Sequence, residues 1–111
     1  MTADGYRFSG RRILVVEDEY LLADELQREL GAAGARVVGP APTLAEGLAL
    51  LESEPVDAAI LDVNLGGEMV YPLAEALRAR GVPFVFTTGY DSHALPPAYS
   101  DEPRCGKPAG L

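Results

Sequence analysis

Five residues with reactive or charged side chains recur at equivalent places along the chain. Glu17 and Asp18, with Glu19 beside them, follow the apolar residues 13–16. Asp62 follows residues 58–61, Thr88 follows Pro83-Phe84-Val85-Phe86-Thr87, and Lys107 follows Arg104-Cys105-Gly106. Clustered carboxylates repel one another unless they hold a cation. Mg²⁺ suits them, because it takes oxygen ligands and bridges carboxylates to phosphate. An Asp carboxylate such as Asp62 can accept a phosphoryl group. The Thr88 hydroxyl could donate to a phosphoryl oxygen, and Lys107 could place a point charge on another. Together they would offset the charge that develops during in-line transfer. Taken singly, each residue has an ordinary role. Asp18 could cap a helix, Asp62 and Thr88 could serve turns, and Glu17, Glu19 and Lys107 could be solvated. Five at successive strand ends make a stronger case for a site.

The elements that would hold these residues follow from the hydrophobic pattern. Ile13-Leu14-Val15-Val16 is a continuous aliphatic run, suited to a strand buried on both faces. Leu22, Leu26, Leu30 and Ala33 form a helical stripe that Asp18 can start and Gly34 can end. Arg36-Val37-Val38-Gly39 reads as a weaker strand stopped by Pro40 and Pro42. Thr43-Leu44-Ala45-Glu46 has the capping-box pattern and opens a second helix with Leu44, Leu48 and Leu51 on one stripe. Residues 56–61 form a third strand that runs into Asp62. Gly66-Gly67 marks a turn. Val70, Leu73, Ala74 and Leu77 give a third helix, with Pro72 tolerable only in its first turn and Gly81 at its end. Residues 83–87 form a fourth strand, a short helical turn falls near residues 92–95, and Arg104-Cys105-Gly106 makes a short fifth strand. Alternating strands and helices imply βαβ units: an α/β, doubly wound parallel sheet. Ligands of such sheets bind beyond the carboxyl ends of the strands, which is where all five residues lie.

Composition sets further bounds. The 111 residues fit one domain, a polar leader over residues 1–11 followed by a folded unit over 12–111. Nine Lys and Arg against 17 Asp and Glu give a net charge of −8, which argues against nucleic acid and anionic membranes as partners. No apolar run is long enough to span a bilayer, and residues 1–12 lack a signal-peptide core. One cysteine, Cys105, excludes an intrachain disulfide and suits the cytoplasm; one histidine, His93, excludes most histidine-based zinc sites.

Four stretches resemble the signature motifs of two-component response-regulator receiver domains. They are Ile13-Leu14-Val15-Val16-Glu17-Asp18-Glu19, Ala59-Ile60-Leu61-Asp62-Val63-Asn64-Leu65, Thr88-Gly89 and Lys107-Pro108. The likeness covers roughly residues 11–109. Pro83-Phe84-Val85-Phe86-Thr87-Thr88-Gly89-Tyr90 further resembles a subgroup with a Pro-Phe-x-Phe-Ala-Thr-Gly-Tyr motif, from which it departs by Thr87. The resemblance implies a flavodoxin-like, five-stranded sheet of order 2-1-3-4-5. It implies Asp62 as phosphoacceptor and Mg²⁺ held by Asp18, Asp62 and the backbone carbonyl of Asn64, with Glu17 acting through a water. Thr88 would be the switch hydroxyl and Lys107 the phosphoryl partner, and the bond before Pro108 would be cis. The phosphodonor would be a histidine kinase or histidine phosphotransfer protein, and the output an unknown protein contact. Such a protein is a signalling switch, not an enzyme beyond its own phosphorylation and slow dephosphorylation.

Three departures carry expectations of their own. The usual aromatic switch residue, three positions before the lysine, is Arg104, which leaves Tyr90 as an alternative reporter. The fourth helix is weak and the fifth is missing, so the domain reads as C-terminally truncated. The first helix and part of the sheet would then be uncovered, which predicts self-association. The alternative reading is a degenerate receiver working as a phosphorylation-independent interaction or dimerisation module. Haloacid-dehalogenase-like phosphatases would need a second Asp where Asn64 stands. Flavodoxins would need a phosphate loop where Glu17-Asp18-Glu19 stands, and no P-loop occurs.

Overall fold

The computed structural model describes residues 10–88 and the strand at 104–106. Four strands, β1 (Arg12–Val16), β2 (Arg36–Ala41), β3 (Ala58–Asp62) and β6 (Phe84–Thr88), form a parallel sheet of order β2-β1-β3-β6. Three helices connect them: α1 (Tyr20–Ala32), α2 (Leu44–Ser53) and α3 (Tyr71–Ala79). β7 (Arg104–Gly106) pairs in parallel with β6. A two-stranded antiparallel ribbon, β4 (Asn64–Leu65) and β5 (Glu68–Met69), sits between β3 and α3.

The aliphatic run of β1 works as its composition demands, with all four residues from Ile13 to Val16 buried. Alternation sends them to opposite faces. Leu14 and Val16 join Leu51, Leu61, Leu73, Leu77 and Phe86 in the larger core under α2 and α3. Ile13 and Val15 join Ile60, Leu26 and Leu30 under α1. The sheet is therefore doubly wound, and β1 and β3 are covered on both faces. Phe84 and Phe86 meet edge to face with centroids 5.5 Å apart, and Tyr71 meets Phe86 at 6.4 Å. The Arg80 guanidinium joins α3 to α2 by donating to the Leu51 carbonyl and the Glu52 carboxylate at 3.1 and 2.9 Å.

Several local signals act as expected. Gly34 takes φ +89° just after α1, and Gly81 takes φ +70° after α3. The Thr43 hydroxyl accepts the Glu46 N–H at 3.1 Å and caps α2. Val70, Leu73, Ala74 and Leu77 are fully buried, and Pro72 falls in the first turn of α3.

Three details differ. The helix-starting role expected of Asp18 falls instead to Glu19, the N-cap of α1, which makes no side-chain cap bond. Asp18 is thereby left to the acidic site. In α1 the buried stripe is Ala23, Leu26 and Leu30, with Leu22 only half-buried. β2 does not stop at Gly39 but continues through Pro40 to Ala41, with its register shifted against β1 between Leu14 and Val16. An edge strand tolerates a proline, because its outer side needs no ladder donor. The Gly39–Pro40 bond is cis. The short turn expected near residues 92–95, the weak fourth helix and the missing fifth helix all fall outside the described residues.

Candidate functional site

β1 and β3 are adjacent, and both end at the same edge of the sheet. Their register sets Val16 beside Leu61, so Glu17 and Asp62 are neighbours directly beyond that pair. The ladder persists at this edge, since the Glu17 N–H donates to the Ala41 carbonyl at 3.0 Å. Glu17 and Asp62 are buried, at 2% and 6% exposure, whereas Asp18 is open to solvent. One carboxylate oxygen from each of the three lies within 4.8 Å of the other two.

Local bonds hold these groups in place. Glu17 Oε2 accepts the Glu19 N–H at 3.1 Å, and Asp62 Oδ1 accepts the Asn64 N–H at 3.4 Å. Three carboxylates at this spacing repel one another, two of them away from bulk water. An all-oxygen set with one solvent-exposed member matches what a hard, partly hydrated divalent cation takes, so the residues fit Mg²⁺. Glu17 and Asp18 also line a groove of about 240 Å³ whose other walls include Tyr20, Ala23, Pro40 and Pro42. Tyr20 and Leu21 stand exposed at the start of α1, which gives the acidic edge an apolar shoulder.

Of the residues singled out by sequence, Glu17, Asp18 and Asp62 are brought together, and Asn64 follows as the first residue of β4. Thr88 is the last residue of β6, beside Gly106 of β7 and one position beyond the pairing of Asp62 with Thr87. Lys107, Tyr90 and Pro108, with the cis bond expected before it, lie outside the described residues. Thr87, noted as a departure from the subgroup motif, is buried, and its hydroxyl donates to the Leu61 carbonyl at 3.5 Å. The β4–β5 ribbon is the part that sequence reasoning missed. Its signal was present in the Gly66-Gly67 turn flanked by Asn64-Leu65 and Glu68-Met69.

The response regulator receiver domain model matches residues 13–100. The chain belongs to the response regulator receiver domain family. The sensory transduction protein LytT of Bacillus subtilis (strain 168) is 32% identical over 87 residues, covering 76% of this chain and 36% of LytT. The receiver thus spans roughly a third of the length of the curated relatives it matches. The solution structure of SdrG from Sphingomonas melonis Fr1 is 45% identical, with a TM-score of 0.82, and covers 91% of this chain and 86% of that one. The BeF3-activated conformation of SdrG, from Pseudomonas melonis Fr1, is 41% identical with a TM-score of 0.78, covering 100% and 90%. With these likenesses the flavodoxin-like receiver fold is established for this chain. Among the described residues, no helix is long and apolar enough to cross a membrane.

Proposed function

We propose that this receiver is a phosphorylation-dependent signalling switch that accepts a phosphoryl group on Asp62. The observation that carries the reading is the convergence of buried Asp62 with Glu17 and Asp18 at the carboxyl edge of a receiver sheet. The donor is a phosphohistidine on a sensor kinase or phosphotransfer protein. An Asp62 carboxylate oxygen attacks the phosphorus. The phosphorus–nitrogen bond breaks, and its electron pair leaves with the imidazole, which takes up a proton.

Asp18, Asp62 and the Asn64 carbonyl would hold Mg²⁺, with Glu17 acting through a bound water. When bound, the ion supplies positive charge against the carboxylates and the incoming phosphoryl oxygens. Burial of Asp62 limits the access of water to the acyl phosphate. The Asn64 N–H keeps one carboxylate oxygen oriented. In this reading β7 is the fifth strand of the family sheet, Lys107 follows it as the phosphoryl partner, and Thr88 is the switch hydroxyl. Tyr90 reports the switch in place of the aromatic that Arg104 replaces, and the bond before Pro108 is cis.

The same reading makes the chain a cytoplasmic phosphoprotein whose receiver has no catalytic role beyond its own phosphorylation and dephosphorylation. Output runs through protein contacts. Self-association would use the α1 side, where Leu26 and Leu30 of α1 pack on Ile13, Val15 and Ile60. Light scattering across a concentration series tests that point, and a monomer throughout would remove it. The function itself is tested with Mg²⁺ and a small phosphodonor. Wild type should gain the mass of one phosphoryl group and Asp62→Asn should not. No gain in either would select a phosphorylation-independent interaction module.

A further inference from the structure

The β4–β5 ribbon lies beside both ends of the acidic site. At its base, the Asn64 N–H donates to Asp62 Oδ1 at 3.4 Å. At its tip, Gly66 takes φ +64°, and a Cβ placed there would stand 3.6 Å from Asp18 Oδ2. The ribbon therefore lies beside two of the three carboxylates, one on β3 and one in the β1–α1 connection.

Four contacts hold it there. The Asn64 side-chain oxygen accepts the Gly67 N–H at 2.6 Å and closes the turn. The Val70 N–H donates to the Val63 carbonyl at 3.0 Å and closes the base. Leu65 is buried in the larger core. The fourth contact reaches a different element: Glu68 Oε1 accepts the Leu44 N–H at 3.4 Å. Leu44 is the first residue of α2, and its N–H is one of the donors that a helix start leaves unsatisfied. Thr43 already serves Glu46, so Glu68 supplies the acceptor that the cap itself does not. A carboxylate there also meets the positive end of the helix dipole.

We propose that the β4–β5 ribbon is a positioning clamp for the acidic site, with Glu68 as the latch that fixes it to α2. Glu68 does not touch the cation or the phosphoryl group. It acts through the ribbon, setting where the Asn64 backbone and the Gly66 tip stand relative to Asp62 and Asp18. The proposal rests on the Mg²⁺ reading of the site, and the test separates the two.

The probe is Mg²⁺ alone, titrated into ¹⁵N-labelled protein and followed through the Gly66 and Gly67 amide resonances. The variants are Glu68→Ala and Glu68→Gln. Loss of a direct partner of a metal ligand costs about tenfold in affinity at the low end. Glu68 acts one step further out, so Glu68→Ala should raise the half-saturating Mg²⁺ concentration by a measurable factor below about tenfold. Its Gly66 and Gly67 amides should also exchange faster. Glu68→Gln keeps Oε1 and should restore both. A wild-type response with an unchanged half-saturation in Glu68→Ala overturns the latch and leaves the metal site standing, even if the melting temperature falls. A wild type that does not respond to Mg²⁺ overturns the metal reading and the latch with it.

Discussion

Thr87 stands opposite Asp62 in the β3–β6 register, and its buried hydroxyl donates to the carbonyl of Leu61, the residue just before Asp62. The strand that carries the acidic residue is thus tied to its neighbour by a side chain as well as by the ladder. The bond is long, at 3.5 Å, so its share is at the weak end for a buried hydroxyl. Thr87→Ala removes that bond and a methyl group, and should lower unfolding stability by about 1 kcal/mol. Urea denaturation checks this. A variant as stable as wild type would show that the hydroxyl contributes nothing to the edge.

Two glycines should respond in opposite ways to alanine. Gly39 has φ +99°, and a Cβ there would meet the Ala41 nitrogen at 2.8 Å and the Val15 carbonyl at 2.9 Å, both backbone atoms. Strain and clash together should cost Gly39→Ala more than about 2 kcal/mol. Gly31 lies within α1, and a Cβ there would meet nothing within 4 Å. Gly31→Ala should gain roughly 0.5–1 kcal/mol by helix propensity. Denaturation midpoints that move the same way for both would contradict this account of the backbone.

The α3 stripe should show the cost of emptying the larger core. Leu73 is fully buried, and its Cδ2 lies 3.0 Å from where a Cβ on Gly47 would stand, so α2 and α3 meet closely. Leu73→Ala should destabilise by about 2–5 kcal/mol. A loss below about 0.5 kcal/mol, the scale of an ordinary surface change, would mean that α3 packs less tightly than the structure shows.

Much of this was legible in the sequence, because strong local patterns agreed with the global fold. The β1 run, the Thr43 cap, the Val70-Leu73-Ala74-Leu77 stripe and the three converging carboxylates could all be read from residue type and spacing. β2 could not be bounded, because whether Pro40 ends a strand depends on its being at the sheet edge, which is a tertiary fact. The start of α1 could not be fixed either, since Asp18 is the better capping type and yet the helix begins after Glu19, which makes no side-chain cap bond. The ribbon escaped because its strands are two residues each, too short for periodicity, and its hold on α2 links Glu68 to Leu44 across 24 positions.

Burial holds the Tyr71 phenol above its ordinary value of 10.0. The folded state therefore keeps this proton more tightly than the unfolded chain does. The resulting stability is fully present below the unfolded value and is lost as pH rises through the folded one. Tyr71→Phe preserves the edge-to-face ring contact with Phe86 and removes the titrating group. Stability measured in the alkaline range should fall less steeply in this variant than in wild type. Parallel curves would show that the phenol is not desolvated enough to matter.

In the proposed function, Asp62 accepts a phosphoryl group with the help of Glu17 and Asp18. The most direct measurement is intact mass after incubation with a small phosphodonor, with and without Mg²⁺, for wild type and Asp62→Asn. Wild type should gain one phosphoryl group only when Mg²⁺ is present, and Asp62→Asn should gain none. A gain that survives Asp62→Asn, or no gain in wild type with Mg²⁺, would contradict this role for Asp62.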